Sequence, residues 1–493
     1  MRLARGTIWS SLSIFSAQAF SAVVSIITAR LLGKSGFGEL GMLNSTVGMV
    51  GVFAGLGLGL TATKYVAEYT AKAPERAGRI IGLSYQMCLF TATILSTGLA
   101  VFAPYLARYV FCAPGLVNEL RLCGLLVFVN AFGGVQNGIL SGFEDFRSIA
   151  RISLIKGLIT LPITITLVVC WNLIGAVLSM IAVSFAGYCL TRAAITKECR
   201  RRTIVISHTD TWSEAPIIWK FALPALIASS VSTPLLWVAN VLVVKSPGSY
   251  GELGLLSAAN QWKNFLTYLP FAITSVAIPT LSSVLSEEGG FRNRSIRGLE
   301  VTNALTQMVL WPVAVGLMFS AGIIMTMYGK GFDEGSRIFV FLIGGSALGL
   351  VGNALSSFIA SSGRMWFGAV QNSSWALIIL FTTYIGANKH GAFSVALGTA
   401  IGYFVLLNWT AVYLALHREL SASLAFRILG GGVVMTALML LAMVVPHGIA
   451  IIIGIPLALL TIPASLYLLV DKQLRIDLFR RMKNLPVLSS WRF

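Results

Sequence analysis

Apolar runs of about 20 residues alternate with short polar breaks from Thr7 to Val470. Each run is long enough to cross a ~30 Å hydrocarbon core as a helix, and most are apolar on every face. The pattern predicts an all-α polytopic membrane protein with fourteen transmembrane helices. The first six lie near Thr7–Leu32, Glu39–Thr63, Ile80–Ala103, Leu116–Ser141, Ile149–Trp171 and Leu173–Arg192. The next six lie near Pro216–Val244, Glu252–Val284, Leu299–Tyr328, Ser336–Ser361, Trp366–Ala387 and Ala392–Leu416, and the last two near Phe426–Val445 and Gly448–Val470. An uncleaved first span is expected, because the apolar run from Thr7 continues past the signal-like Ala17-Gln18-Ala19 to Leu32.

The breaks differ in charge. Arg2, Arg5, Lys64, Lys72, Arg76, Arg79, Arg147, Arg151 and Lys156 fall on one side, with Arg192, Lys197, Arg200 to Arg202, Arg292, Arg294, Arg297 and the tail from Lys472. The other side holds Arg30, Lys34, Arg108, Arg121, Lys245, Lys330, Arg337 and Lys389. Under the positive-inside rule both termini are cytoplasmic, which requires an even number of spans.

Two short sequences recur. Gly38-Glu39-Leu40-Gly41 follows Phe37, and Gly251-Glu252-Leu253-Gly254 follows Tyr250, 213 positions later. Val135-Gln136-Asn137-Gly138-Ile139-Leu140-Ser141 resembles Val351-Gly352-Asn353-Ala354-Leu355-Ser356-Ser357 at an offset of 216. Two matches at nearly one offset indicate duplication. With six helices per copy, both halves enter the membrane with the same polarity, so a pseudo-twofold axis along the membrane normal relates two six-helix bundles. The expected division is residues 1–196 and 216–420 for the bundles, 197–215 for a charged cytoplasmic linker, 421–470 for an extra helix pair and 471–493 for a basic tail. Each tetrapeptide is expected to form a glycine-assisted turn and helix start, with its glutamate near the positive end of the helix dipole.

Composition agrees: of 493 residues, 56% are apolar and 11% charged, with mean hydropathy +0.82, whereas a soluble domain carries roughly 25% charged residues. The net charge of +18 sits in the inter-helix loops, which suits contact with membrane lipids and argues against a nucleic-acid partner. Cys88, Cys112, Cys123, Cys170, Cys189 and Cys199 show no metal-ligand spacing and read as small apolar residues, a Cys112–Cys123 disulfide being the alternative.

No P-loop, HExxH or acidic cluster occurs, so neither an enzyme nor an ATP-driven pump is indicated and no cofactor is expected; a proton or sodium gradient is the candidate drive. His208, His390, His417 and His447 fall at loops and helix ends. Lys263 lies eleven residues into its helix, about 16 Å, near the bilayer centre, where a charge costs at least ~2.5–3.5 kcal/mol. Asn260 and Asn264 share its side of the helix, with Gln261 and Trp262 beside them, and these make the leading candidate site; a snorkelling lysine is the alternative. Gln18, Ser21, Ser25 and Thr28 form a polar stripe on the first helix, and Arg30 points about 120° from Gln18, so headgroup contact and a cavity role both stand. Asn130, Gln136, Asn137, Asn303, Gln307, Asn353, Gln371, Asn372 and Asn408 read first as helix–helix hydrogen-bonding groups, with Asn137 and Asn353 kept as cavity candidates. Pro224, Pro234, Pro270 and Pro279 would let the seventh and eighth helices bend. Glu39, Glu252 and Glu300 stand at helix ends and no carboxylate lies at mid-depth, so a cationic, amide-rich cavity for an anionic, hydroxyl-rich substrate is expected.

Several local sequences carry a family resemblance. Ala29-Arg30-Leu31-Leu32-Gly33 is followed by Gly36-Phe37-Gly38, and the second helix ends Gly55-Leu56-Gly57-Leu58-Gly59. Asn137 through Arg147 (NGILSGFEDFR) leaves the fourth helix, and Ser361-Ser362-Gly363-Arg364 leaves the tenth. Over essentially its whole length the chain resembles the polysaccharide flippases of the multidrug/oligosaccharidyl-lipid/polysaccharide (MOP) exporter superfamily. The resemblance implies a V-shaped pair of bundles opening alternately to the two sides. It implies as substrate an undecaprenyl-diphosphate-linked oligosaccharide, moved from the inner to the outer leaflet of a bacterial inner membrane. It also implies a basic cavity, which Lys263 and Arg30 match, although the second copy has Val243 where the first has Arg30. A polysaccharide polymerase and glycosyltransferases are the expected protein partners. A lipid II flippase and a multidrug exporter of the same fold are the alternatives; a membrane glycosyltransferase or polymerase would need larger outer loops.

Overall fold

A computed structural model describes residues 2–207, 211–216, 230–285, 291–361, 364–417 and 422–469 with Leu226 and Leu420, as helical backbone alone over 2–17 and 269–302. The described residues contain no strand. The helices are α1 (Arg2–Gly55), α2 (Leu58–Lys72), α3 (Pro74–Tyr105), α4 (Val117–Gly142) and α5 (Phe146–Arg201). There follow α6 (Ser232–Val244), α7 (Ser249–Leu285), α8 (Phe291–Phe319), α9 (Ala321–Thr326), α10 (Ser336–Ser361), α11 (Met365–His390), α12 (Phe393–Leu416), α13 (Ala422–Val444) and α14 (His447–Leu469). Pro224 and the basic tail lie outside the described residues.

Two of these helices are each a pair of spans joined end to end. α1 breaks at Gly33, whose φ of 71° suits a residue without Cβ, and α5 breaks at Trp171-Asn172, where Asn172 has φ 47°. The first turn-back therefore falls at Gly33, five residues before the tetrapeptide expected to form it. In the second half it falls at Gly248 (φ 94°), immediately before α7. The expected second helix is likewise broken at Leu56-Gly57 and resumes as α2.

Seven described helices are long and apolar enough to cross a membrane. Apolar residues also face outward on helices beyond those seven: on α11, Leu377, Phe381, Tyr384 and Ile385 are exposed at helical spacing, and on α14, Ile452, Ile455, Leu459 and Leu460 are. In water such patches would drive association; in a bilayer they match the solvent. All six cysteines are free, so the disulfide alternative is not realised; Cys88, Cys123 and Cys199 are buried as small apolar groups.

The helices before residue 202 pack chiefly on one another, as do those after 231, and the two groups meet where α1 runs along α7 and touches α6. α5 stays helical to Arg201, five residues into the expected linker. The extended stretch that follows is docked on α3: the carbonyls of Val205 and Ser207 lie so close over Gly78 and Gly82 that neither position has room for a Cβ. Thr211 donates to Gln86 Oε1 at 2.6 Å, and Glu214, 5% exposed, receives Arg76 in a forked pair at 3.0–3.1 Å and Arg79 at 3.3 Å. Glu214→Gln keeps the shape and removes the charge. Because both guanidinium groups are about a third exposed, the expected cost is modest, about 1–2 kcal/mol. The checkable outcome is a lower unfolding temperature together with faster tryptic cleavage at Arg200–Arg202; unchanged cleavage would show that the clamp does not hold the linker.

Candidate functional site

The two copies of the repeated tetrapeptide pack against each other. A Cβ built on Gly38 would collide with the Tyr250 carbonyl oxygen and stand 2.9 Å from the Gly254 nitrogen. One built on Gly254 would collide with the Lys34 carbonyl oxygen and stand 3.3 Å from the Gly38 nitrogen. Gly41 meets the Ser257 side chain in the same way. Backbone touches backbone here, as at the small-residue crossings that let membrane helices approach closely.

Other contacts close the same end. Phe37, Tyr328 and Phe332 form a buried cluster with ring centroids 5.7–6.2 Å apart. Arg30 Nε donates to the Met327 carbonyl at 2.7 Å, and Lys34 pairs with Glu334. Tyr250 OH donates to the Phe111 carbonyl at 2.9 Å, and Trp262 Nε1 donates to Tyr328 OH at 3.1 Å. Glu252 accepts the Ala392 amide at 3.0 Å, so it caps the start of α12 as well as standing in the first turn of its own helix.

Beneath this closure lies a cavity of about 600 Å³ between α1, α5, α6 and α7. Fourteen of its twenty-two lining residues carry a hydroxyl or an amide, and none of the twenty-two is charged. Ser21, Ser25 and Thr28 come from α1 below Gly33, and Asn44 and Ser45 from α1 beyond it. Thr160 and Thr164 face Ser179 and Ser184 across the bend of α5, while α7 supplies Ser257, Asn260, Gln261 and Asn264. Bridges tie the walls together: Asn240 Nδ2 donates to Ser45 Oγ at 2.8 Å, Trp237 Nε1 to Thr46 Oγ1 at 3.0 Å and Gln261 Nε2 to Ser21 Oγ at 2.9 Å.

Of the seven candidates, Asn260 and Asn264 line this cavity. Lys263 is half-buried on the flank of α7, about 100° round from Asn264, and is not among the lining residues. Arg30 is exposed and spent on the Met327 carbonyl. Gln18 is half-buried one turn beyond Ser21, also outside the lining, and Asn137 is exposed on α4. Asn353 lines a separate cavity of about 490 Å³ within the second group, with Gln371, Asn372, Trp375 and Tyr403. There Gln371 bridges Ser356 and Thr410.

The sequence reading overlooked Thr160, Thr164, Ser179, Ser184 and Asn240. Thr160 and Thr164 are spaced i, i+4 and were legible; Asn240 stands alone in an apolar run and gave no signal. Lys156, counted with the loop lysines, lies ten residues inside α5, half-buried against Gly187 and one turn before Thr160. The expected fifth helix, Ile149–Trp171, already contained it, so its assignment to one side of the membrane by charge counting overlooked its depth.

Residues 3–285 match the model of a family described as polysaccharide biosynthesis proteins. The chain is 24% identical to the lipid III flippase of Escherichia coli (strain K12) over 415 residues, 82% of this chain and 97% of that protein. It is 22% identical to the EPS I polysaccharide export inner membrane protein EpsE of Ralstonia nicotianae, over 78% of this chain and 87% of that one. Among solved structures it resembles the lipid II flippase MurJ in an inward closed conformation, with TM-score 0.69, 16% identity and 92% and 97% of the two chains covered. It also resembles an inward-facing multidrug resistance MATE transporter of the MOP superfamily, with TM-score 0.62, 17% identity and 82% and 96% covered. The fold is theirs.

Substitution at the crossing separates packing from helix propensity. Gly38→Ala should cost about 1–3 kcal/mol by overpacking. Gly48→Ala, on the same helix with nothing within 4 Å of its Cβ, should be neutral or gain up to ~1 kcal/mol. Thermal unfolding of the two variants in detergent checks this; equal shifts would sink the close-packed crossing.

Proposed function

This chain belongs to the polysaccharide biosynthesis protein family, and proceeding from that membership we propose that it flips lipid-linked oligosaccharide for surface polysaccharide synthesis. Undecaprenyl-diphosphate-linked repeat units would pass from the cytoplasmic to the outer leaflet of a bacterial inner membrane by alternating access. The observation that carries this reading is the uncharged, hydroxyl- and amide-rich cavity beneath a closed crossing. Such a lining exchanges hydrogen bonds with sugar hydroxyls, and it lacks the carboxylate that would favour cationic drugs. For the diphosphate the candidates are Lys263 and Lys156, each half-buried and each within one helical turn of a cavity-lining residue, Asn264 or Asn260 for the first and Thr160 for the second.

In the proposed arrangement the spans divide as six, six and two, with bundles at 1–196 and 216–420 related by a pseudo-twofold axis, a helix pair at 421–470 and both termini cytoplasmic. The crossing then closes the outer side, Arg30 serves the closure, and Gln18, Asn137 and Asn353 meet substrate only as the halves rock. A proton or sodium gradient supplies the energy, and a polymerase takes up the flipped unit that glycosyltransferases assembled.

Lys263→Ala removes a charge-assisted contact of about 1.5–3 kcal/mol, hence roughly a tenfold to hundredfold loss of flipping. Asn260→Ala with Asn264→Ala should weaken the sugar contacts. In each case surface polysaccharide should fall and the lipid-linked intermediate accumulate at the inner leaflet. Normal levels of both at unchanged expression would overturn this assignment of the cavity.

A further inference from the structure

The cavity of about 490 Å³ between α10, α11 and α12 is built as a binding pocket rather than as a packing fault. Seven of its twelve lining residues carry a hydroxyl, an amide or an indole N–H, and none of the twelve is charged. Glycines set its shape. A Cβ on Gly349 would stand 2.5 Å from the Tyr403 ring and one on Gly402 2.8 Å from the Trp375 ring, so both rings lie directly on main chain. The two rings stack with centroids 4.9 Å apart and planes at 29°. Gly352 meets only Leu407, at 3.9 Å, and Gly368 meets nothing, so the cavity stays open beside them.

Gln371, 5% exposed, ties the three helices together: its Oε1 accepts from Ser356 Oγ at 2.7 Å and its Nε2 donates to Thr410. Other groups in the lining are left over. Among the described residues the Asn372 amide, the Tyr403 hydroxyl and the Trp375 indole N–H make no hydrogen bond, and that N–H is buried. A buried donor normally has an acceptor, and this one finds none in the chain. Asn372 also tells where the pocket opens. It is exposed, yet it stands nine residues from Phe381, about 180° round α11 from the apolar face turned to lipid. An exposed amide on that inner face borders water inside the protein, not hydrocarbon.

We propose that this cavity is a second saccharide site, in which a neutral pyranose ring rests on the Trp375–Tyr403 pair with its hydroxyls on Asn372 and the Tyr403 hydroxyl. A pyranose has both kinds of surface required. Its C–H face packs on an aromatic ring, and its rim of hydroxyls donates and accepts. A small turn of the indole brings its N–H onto a sugar oxygen and satisfies it. A hydrocarbon tail would strand the amides, and a phosphate would find no cation in the lining. The volume falls within the roughly 300–1,000 Å³ usual for small-molecule pockets. This rests on the reading of the chain as a flippase of lipid-linked oligosaccharide and adds a subsite that reads sugar and not diphosphate. A lipid-linked chain reaches it as the halves rock, whereas a free saccharide enters directly beside Asn372. Fixed amides pair with some hydroxyl configurations and leave others unmatched, so the pocket selects among repeat units.

The test is saturation-transfer NMR on full-length protein in lipid nanodiscs, with free D-glucose, D-galactose, L-rhamnose and N-acetylglucosamine as probes. Expected is transfer to the ring C–H protons of at least one of these sugars. Trp375→Leu, which loses ring and N–H, should weaken that sugar's binding about tenfold, and Trp375→Phe, which keeps a ring, about two- to fivefold. Asn372 is exposed and can be truncated without disturbing the packing; Asn372→Ala should weaken binding about fivefold. Transfer that is the same in wild type, Trp375→Leu and Asn372→Ala overturns the site, as does transfer to none of the probes. In cells, Trp375→Leu should also lower surface polysaccharide. Normal surface polysaccharide in cells lacking the protein overturns the flippase reading, whereas the NMR result judges the pocket by itself.

Discussion

Where α1 and α7 cross, main chain lies on main chain, with Gly38 beneath the Tyr250 carbonyl and Gly254 beneath that of Lys34. Lipid offers no hydrophobic drive to hold two apolar helices together, so association depends on close van der Waals approach and on polar contacts. Glycine supplies the first by removing the side chain that would separate the backbones. The second comes from Tyr250 OH on the Phe111 carbonyl, Arg30 on the Met327 carbonyl and the Lys34–Glu334 pair, all reached only because the backbones are so near. The aromatic cluster of Phe37, Tyr328 and Phe332 then fills the space that the glycines leave beside the crossing.

The cavity follows from the same contact. Helices pinned together at one end and bent at Gly33 and at Trp171-Asn172 diverge below the pin, and the gap is lined by whatever those faces carry. They carry serine, threonine, asparagine and glutamine, many already hydrogen-bonded to one another, as Asn240 is to Ser45 and Gln261 to Ser21. Neutral groups of this kind can trade partners with sugar hydroxyls at little net cost, since each broken bond is replaced by a similar one. A charge at the centre of the lining would instead hold an anionic substrate too firmly to release it. Placing lysines at the edge, as with Lys156 and Lys263, leaves a weaker pull of the right sign.

The helices were legible in the sequence because run length sets them, and the repeated GELG was visible as a pattern of the chain itself. The location of the turn was not. Phe37-Gly38-Glu39 looks like a turn by composition, yet Gly33 makes it, because the glycines of the tetrapeptide are needed for contact with the other copy. The same limit governs the site. Spacing placed Asn260, Lys263 and Asn264 on one side of a helix, but which part of that side meets the cavity depends on the position of α1, and it admits the two asparagines and turns the lysine to the flank. Asn240 was hidden for a related reason, since it matters only through Ser45, a neighbour distant in sequence.

Glu119 also bears on the early argument from missing carboxylates. Depth alone made the helix-end acids look inert. A helix end is wet only if nothing covers it, and here Glu119 in the first turn of α4 is only 8% exposed, just after the buried Phe111 whose carbonyl accepts from Tyr250 OH. What fixes the chemistry of an acid in a membrane protein is access to water rather than depth alone. The two glycine-bearing segments thus make a close backbone contact at the end of the bundle where an acid is also kept from water.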